Sequence, residues 1–296
     1  MADGAGPHRV QIFCNPASGS YSPRRITALA QAFEALGATV QVSDDATAPP
    51  CIADGVTHVC IVGGDGTVRH VAAAMARSDH RAVIGIVPGG TINLLARELG
   101  QTAAPENFAA RLLAFDETCD HYPVLLGSDF FFACASAGPD SVAVARVSGR
   151  LKRWFGRYAY LVTFLGLLWS WPRPRIRITT DGMRHDCEAF YVAKGRYFAG
   201  PWSFAPAARI DDPRLHVLLL TTARRRDFSR LALALMRGRD PARLPFAKAF
   251  TCRALTAESD AEVPLQADGD IVAHLPVAME VSDRPIRFRR MMPEGL

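Results

Sequence analysis

The stretch His58-Val59-Cys60-Ile61-Val62-Gly63-Gly64-Asp65-Gly66-Thr67 decides the fold. An unbroken apolar run stops at two glycines, and the apolar spacing that resumes from Val68 to Ala76 is helical. This is a buried strand turning sharply into a helix. Glycines let the backbone approach phosphate oxygens, and amide N–H groups at a helix N-terminus supply positive potential. Thr67 can cap that helix or hydrogen-bond a phosphate. Asp65 is the odd member, because a carboxylate beside a polyanion is repelled unless it holds a metal ion or takes a proton from an attacking hydroxyl. Taken alone, the stretch reads equally well as a tight strand-to-helix turn. It is neither a Walker A loop, since no G-K-[ST] follows, nor a G-x-G-x-x-G turn.

The same grammar runs through the first third of the chain. Val10 to Cys14 is an apolar run ended by Asn15-Pro16, Ile26 to Leu36 has helical spacing closed by Gly37, and Ala38 to Val42 reads as a strand. Val83 to Val87 is a strand ended by Pro88-Gly89-Gly90, and Asn93 to Leu99 a helix closed by Gly100. Alternating strands and helices predict a parallel sheet with its ligand at the carboxyl edge, which puts the glycine loops together. Asp44 to Gly55, interrupted by Pro49-Pro50, predicts a loop or a single turn. From Val124 the pattern changes to short β-like segments: Val124–Leu126, Phe130–Ala135, Arg175–Thr180, Ala189–Lys194, Leu215–Thr221, Ala249–Thr256 and Val277–Val281. Two helical stretches, Ser141–Ser170 and Asp227–Arg237, interrupt them. The expected architecture is an α/β domain over 8–123 followed by a mostly antiparallel β-rich domain over 124–284.

With 296 residues, 49% of them apolar, the chain can bury a substantial core. Its net charge of +5 is modest. Basic clusters beside aromatic residues favour an anionic membrane surface or phosphates over nucleic acid. The seven cysteines contain no C-x-x-C pair and lie mostly in apolar runs, which suits reduced thiols in a cytoplasmic protein. Met1 to Val10 has no secretory pattern, and the uncharged run Tyr158 to Pro172 is shorter than the roughly 20 residues of a membrane span. Arg150, Lys152, Arg153 and Arg157 with Trp154, Phe155 and Tyr158 head an apolar run, which suits either a membrane interface or a core helix.

Three motifs occur in order at strand ends: N-P-x-S-G at Asn15–Gly19, G-G-D-G-T at Gly63–Thr67 and P-x-G-T-x-N at Pro88–Asn93. Together they resemble the diacylglycerol kinase catalytic superfamily of lipid kinases, which includes sphingosine and ceramide kinases. Ala205-Pro206-Ala207-Ala208-Arg209-Ile210-Asp211-Asp212 is similar to its A-P-x-A-x-x-D-D segment, and Gln266-Ala267-Asp268-Gly269-Asp270 to its D-G-E motif with Asp in place of Glu. The resemblance implies a three-layer nucleotide-binding domain joined to a β-sandwich, with the tail 285–296 returning to the first domain.

It also implies ATP as phosphoryl donor, cradled by Gly63, Gly64, Asp65, Gly66 and Thr67, with Asn15, Ser18, Gly90, Thr91, Asn93 and Arg97 near the nucleotide. Mg²⁺ is expected at Asp65, and a structural Mg²⁺ at Asp212 with the backbone of Arg209 and Arg214. Pro213 follows Asp212 where the family usually has Gly, and proline cannot take a positive φ. Asp268 and Asp270 are the candidate bases beside Asp65. Their other reading is an exposed D-G hairpin turn. The acceptor is expected to be the hydroxyl of a diacylglycerol, sphingoid base or ceramide, met by peripheral association with the inner membrane face; Leu94 after Asn93 is similar to the sphingosine kinase run. Two alternatives stand, an NAD kinase-like enzyme with a soluble acceptor and a non-catalytic nucleotide- or lipid-binding regulator. The oligomeric state, a homodimer included, stays open.

Overall fold

A computed structural model describes residues 8–16, 21–44, 49–101, 104–114, 117–146, 171–198 and 200–291. The chain divides into two compact units: one runs to His121 and resumes at Arg284, and the other is Tyr122–Asp283.

The first unit is built on strands β1 (Arg9–Cys14), β2 (Thr39–Ser43), β3 (His58–Gly63), β4 (Val83–Pro88) and β5 (Thr118–His121), completed near the end of the chain by β18 (Ile286–Arg289). The sheet order is β2-β1-β3-β4-β18-β5. Pairings from β2 through β18 are parallel, and β18 meets β5 antiparallel. β3 is buried along its whole length, as an inner strand covered on both faces must be.

Helices α1 (Pro23–Ala35), α2 (Asp65–Arg77), α3 (Leu94–Glu98) and α4 (Pro105–Leu113) accompany this sheet. Pro23 and Pro105 stand in the first turns of α1 and α4, where a missing N–H costs nothing. Phe33 of α1 meets Phe108 of α4 edge to face, with ring centroids 6.4 Å apart. Gly85 lets α4 lie directly on β4: a Cβ there would stand 2.8 Å from Leu112 Cδ1. Residues 44 and 49–55, the described part of the stretch expected to be a loop or turn, contain only a short turn.

The second unit is a pair of six-stranded antiparallel sheets. The remaining strands are β6 (Val124–Leu126), β7 (Asp129–Phe131), β8 (Cys134–Ala137), β9 (Ile176–Thr180), β10 (Met183–Cys187), β11 (Ala189–Ala193), β12 (Leu215–Leu220), β13 (Ala247–Cys252), β14 (Ala254–Ser259), β15 (Pro264–Ala267), β16 (Asp270–His274) and β17 (Val277–Val281). One sheet has the order β10-β9-β14-β17-β6-β7 and the other β13-β12-β11-β8-β15-β16. Their facing side chains, among them Phe131, Ile178, Phe190, Leu219, Leu265 and Met279, form one core, the arrangement of a β-sandwich.

Two expected single strands are each two. Phe130–Ala135 is broken between β7 and β8, and Ala249–Thr256 is broken at Arg253, where the chain leaves one sheet for the other. Of the helix expected over Ser141–Ser170, the described part is α5 (Pro139–Arg146); the rest lies outside the described residues. The second expected helix is α6 (Arg225–Met236).

Candidate active site

The glycine loops after β3 and β4 are pressed together, backbone against backbone. Gly63 is opposite Pro88 at the end of the β3–β4 ladder, and Gly89 N–H donates to the Gly63 carbonyl at 2.9 Å. A Cβ on Gly90 would stand 2.7 Å from Gly64 Cα, and one on Gly63 would stand 2.7 Å from the Thr67 side chain. At Gly90 the obstacle is backbone, so no larger residue fits there without displacing a loop; at Gly63 it is the Thr67 side chain.

Asp65 locks this contact. It opens α2, where a negative charge suits the helix dipole, and its carboxylate reaches across to the second loop. Oδ1 accepts from Leu94 N–H at 2.7 Å and Oδ2 from Asn93 N–H at 3.0 Å. These are the first amides of α3, which have no partner within the helix. Asn93 adopts a left-handed conformation, with φ 52° and ψ 58°, and its side chain closes a ring with Gly90: Oδ1 accepts from Gly90 N–H at 2.8 Å and Nδ2 donates to the Gly90 carbonyl at 2.6 Å. Arg25 of α1 donates to the Pro88 carbonyl at 3.2 Å, tying a third element to the same edge. Thr67 is in the first turn of α2, Asn15 follows β1, and Thr91 and Arg97 are exposed on the second loop and its helix. Ser18 lies outside the described residues.

The sequence alone offered Asp65 as a metal ligand or a base. The fold first makes it the brace between two loops. These two amides take up part of what an ionised carboxylate, with about four lone-pair sites, can accept. A nucleotide-bound Mg²⁺ needs only one or two protein carboxylates besides phosphate oxygens, so this lone carboxylate fits such an ion. Among the described residues no group of three or more His, Cys, Asp and Glu side chains could hold a metal by itself.

In the second unit, Asp268-Gly269 is the turn of the β15–β16 hairpin, with both residues at positive φ. Asp268 is nevertheless buried, and its carboxylate is filled from outside the hairpin. Oδ2 accepts from Phe132 N–H at 2.8 Å, and Oδ1 from Ala133 N–H at 2.8 Å and Cys134 N–H at 3.1 Å. A carboxylate that satisfies three buried amides holds the entry to β8 in place. As a proton acceptor it would have to give up part of that bracket. Asp270, at the start of β16, is exposed.

Asp212 is similarly committed. Arg214 grips its carboxylate at 3.0 and 2.9 Å and His216 Nε2 lies 3.0 Å away; the Arg214 hydrogen bonds, then His216, hold its carboxyl below the usual range against the opposing effect of burial. Its backbone carbonyl accepts from the ammonium of Lys194, which is fully buried. The expected structural Mg²⁺ does not fit these residues. A divalent ion 4 Å from the lysine ammonium would be repelled by about 8 kcal/mol at an effective dielectric of 20.

An apolar pocket of about 230 Å³ lies in the same unit beside α6. Trp171, Phe198, Phe204, Phe228 and Leu235 line it, with Arg225 on its rim. Asp140 and Tyr191 bring polarity to its wall. Asp140 accepts from Ser136 Oγ at 2.6 Å and Tyr191 OH at 3.3 Å, and burial pushes its carboxyl up despite these donors. Sequence reading missed this site. Its one local signal is Gly138-Pro139-Asp140 where β8 ends; the residues that complete it are distant in sequence.

Twin glycine loops at the ends of adjacent parallel strands, in a chain that continues into an antiparallel sandwich, define a protein of one α/β unit and one β-sandwich unit. The chain belongs to the family of the YegS C-terminal NAD kinase beta sandwich-like domain, matched over residues 133–289, and the diacylglycerol kinase catalytic domain matches residues 9–120 ahead of it. A protein named "Probable lipid kinase YegS-like" from Pseudomonas aeruginosa (strain UCBPP-PA14) is 34% identical over 176 residues, 58% of this chain and 57% of that one. The chain thus matches somewhat more than half the length of that relative. A diacylglycerol kinase of Staphylococcus carnosus is 25% identical over 283 residues, 90% of each chain. The fold is that of a diacylglycerol kinase crystal structure from Bacillus anthracis str. Sterne, with a TM-score of 0.76 at 20% identity over 98% of this chain and 99% of that one.

Proposed function

We propose that the protein is an ATP-dependent lipid kinase that moves the γ-phosphoryl group to a lipid hydroxyl. The observation that carries this reading is the Asp65 brace, which aligns two glycine loops and two helix N-termini at one sheet edge. Phosphoryl transfer asks mainly for positioning and for stabilisation of charge on the transferred group. Gly63, Gly64, Gly66 and Gly90 admit phosphate oxygens to the backbone. Thr67, Asn15, Thr91 and Asn93 supply polar groups around them, and Arg97 a cation. Mg²⁺ accompanying ATP would neutralise phosphate charge, with Asp65 as its protein ligand.

Of the two acidic residues in the hairpin, Asp270 is the better proton acceptor, since Asp268 is consumed by three amides. The names of the relatives support a lipid acceptor, and so does the aromatic-lined pocket, whose apolar wall suits a hydrocarbon chain. A lipid-bearing surface is then the place of work. No helix among the described residues is long and apolar enough to cross a membrane, so the reading is one of peripheral contact.

Ala232 lines the pocket from the exposed face of α6. Ala232→Trp is expected to raise KM for the lipid about tenfold or more while leaving KM for ATP in place, since an indole fills space that a ligand chain would take. An unchanged lipid KM would remove the pocket from the acceptor site. Transfer of phosphate to NAD instead of lipid would favour the soluble-acceptor alternative.

A further inference from the structure

Lys194 has no part in the reading above, yet it is among the largest fully buried side chains of the molecule. It follows β11, and its own N–H donates to the Ala133 carbonyl at 2.8 Å, so the backbone there is fixed by β8's approach. The ammonium donates to the Asp212 carbonyl and lies 5.9 Å from the centroid of the Tyr122 ring. A lysine is almost never fully buried unless its charge is compensated. Here the surroundings are a backbone carbonyl, an aromatic face and the residue whose carboxylate Arg214 and His216 hold. Carbonyl and carboxylate oxygens drawn together at a turn are also the donor set of a hard divalent cation.

We propose that the Lys194 ammonium is the built-in cation of the Ala205–Asp212 turn, standing in the place of a structural Mg²⁺, so that the second unit folds without any divalent ion. The proposal rests on this turn alone and not on the kinase reading. The turn shows how the substitution works. Asp212 N–H donates to the Arg209 carbonyl at 3.1 Å, closing the backbone loop around the position the ammonium reaches. Pro213 follows directly, and the chain then enters β12 at Leu215. Lysine brings its charge on a tether from β11, so no ion needs to be captured from solution, and the turn is joined to the sheet through the side chain itself. Arg214 neutralises the carboxylate, and His216 Nε2 shares a hydrogen bond with it.

The test is thermal unfolding of the nucleotide-free, full-length chain, in EDTA and in excess Mg²⁺, together with metal analysis of the purified protein. The wild type is expected to melt at the same temperature in both and to carry no bound divalent ion. Lys194→Met keeps the stem and removes the charge; it is expected to melt lower by roughly 3 °C or more, the scale of leaving the Asp212 carbonyl without its charged donor in a domain of this size. Mg²⁺ is expected to recover part of that loss in Lys194→Met only, because the vacated oxygens then accept an ion. A wild type that melts lower in EDTA, or holds a stoichiometric divalent ion, overturns the proposal whether or not the variant folds. So does a variant as stable as wild type, or one that Mg²⁺ leaves unchanged.

Discussion

Asp268 shows how one residue can be read correctly as local geometry and incompletely as chemistry. The D-G pair announces a hairpin turn, and a turn is what the chain makes there. Nothing nearby announces that the carboxylate turns inward to three amides, because those amides are 134 to 136 residues earlier in the chain. Replacing Asp268 with alanine leaves three buried N–H groups unpaired, and we expect a loss of about 3 kcal/mol or more in denaturant unfolding. A variant of wild-type stability would mean that the bracket carries no energy. His58 makes a second residue-scale case. Burial first, then the neighbouring His8 and Arg289 charges, push its imidazole down to about 4. A group that resists protonation in the folded state costs stability as pH falls, because the unfolded chain takes the proton first. Stability is therefore expected to decline between about pH 6.5 and pH 4, by about 3 kcal/mol in full. His58→Gln should flatten that decline, and an unaltered slope would assign it to other groups.

Elements were the most legible scale in the first unit and the least in the second. Each β-α step carried its own punctuation, from Asn15-Pro16 to Gly100, so strands and helices could be placed from apolar runs and the glycines that end them. α4 was overlooked although Pro105 marks its start and Phe108, Ala109, Leu112 and Leu113 form its buried stripe. β5 and β10 are short and rich in polar residues, and they are strands because a neighbour supplies the ladder. The glycine loops were visible one by one. Their mutual contact was not, since it depends on β3 and β4 being adjacent. That contact gives an element-scale prediction. Gly90→Ala places a methyl group 2.7 Å from Gly64 Cα and must part the loops. We expect kcat/KM for ATP to fall roughly a hundredfold, as positioned catalysis suffers from shifts near 1 Å. The melting temperature should move far less, because Gly90 is exposed. Full activity in this variant would show that the loops need not touch.

At the scale of the molecule, the division into an α/β unit and a β-sandwich was readable from the change of periodicity near Val124, and the return of the chain to the first sheet as β18 followed from resemblance rather than from pattern. The pocket and the Lys194 turn were not readable, because each is assembled from strands and loops far apart in sequence. Both belong to the unit that, in this account, receives the acceptor; the polyphosphate belongs to the other. The central claim is that one chain joins these two tasks. It is tested most directly by incubating the protein with γ-labelled ATP, Mg²⁺ and, separately, micellar diacylglycerol, sphingosine, ceramide and phosphatidylglycerol, then extracting the lipid and counting label, with Asp65→Ala alongside. The account predicts label in one of these lipids and its loss in the variant. Label in none of them, or undiminished transfer by Asp65→Ala, would contradict it.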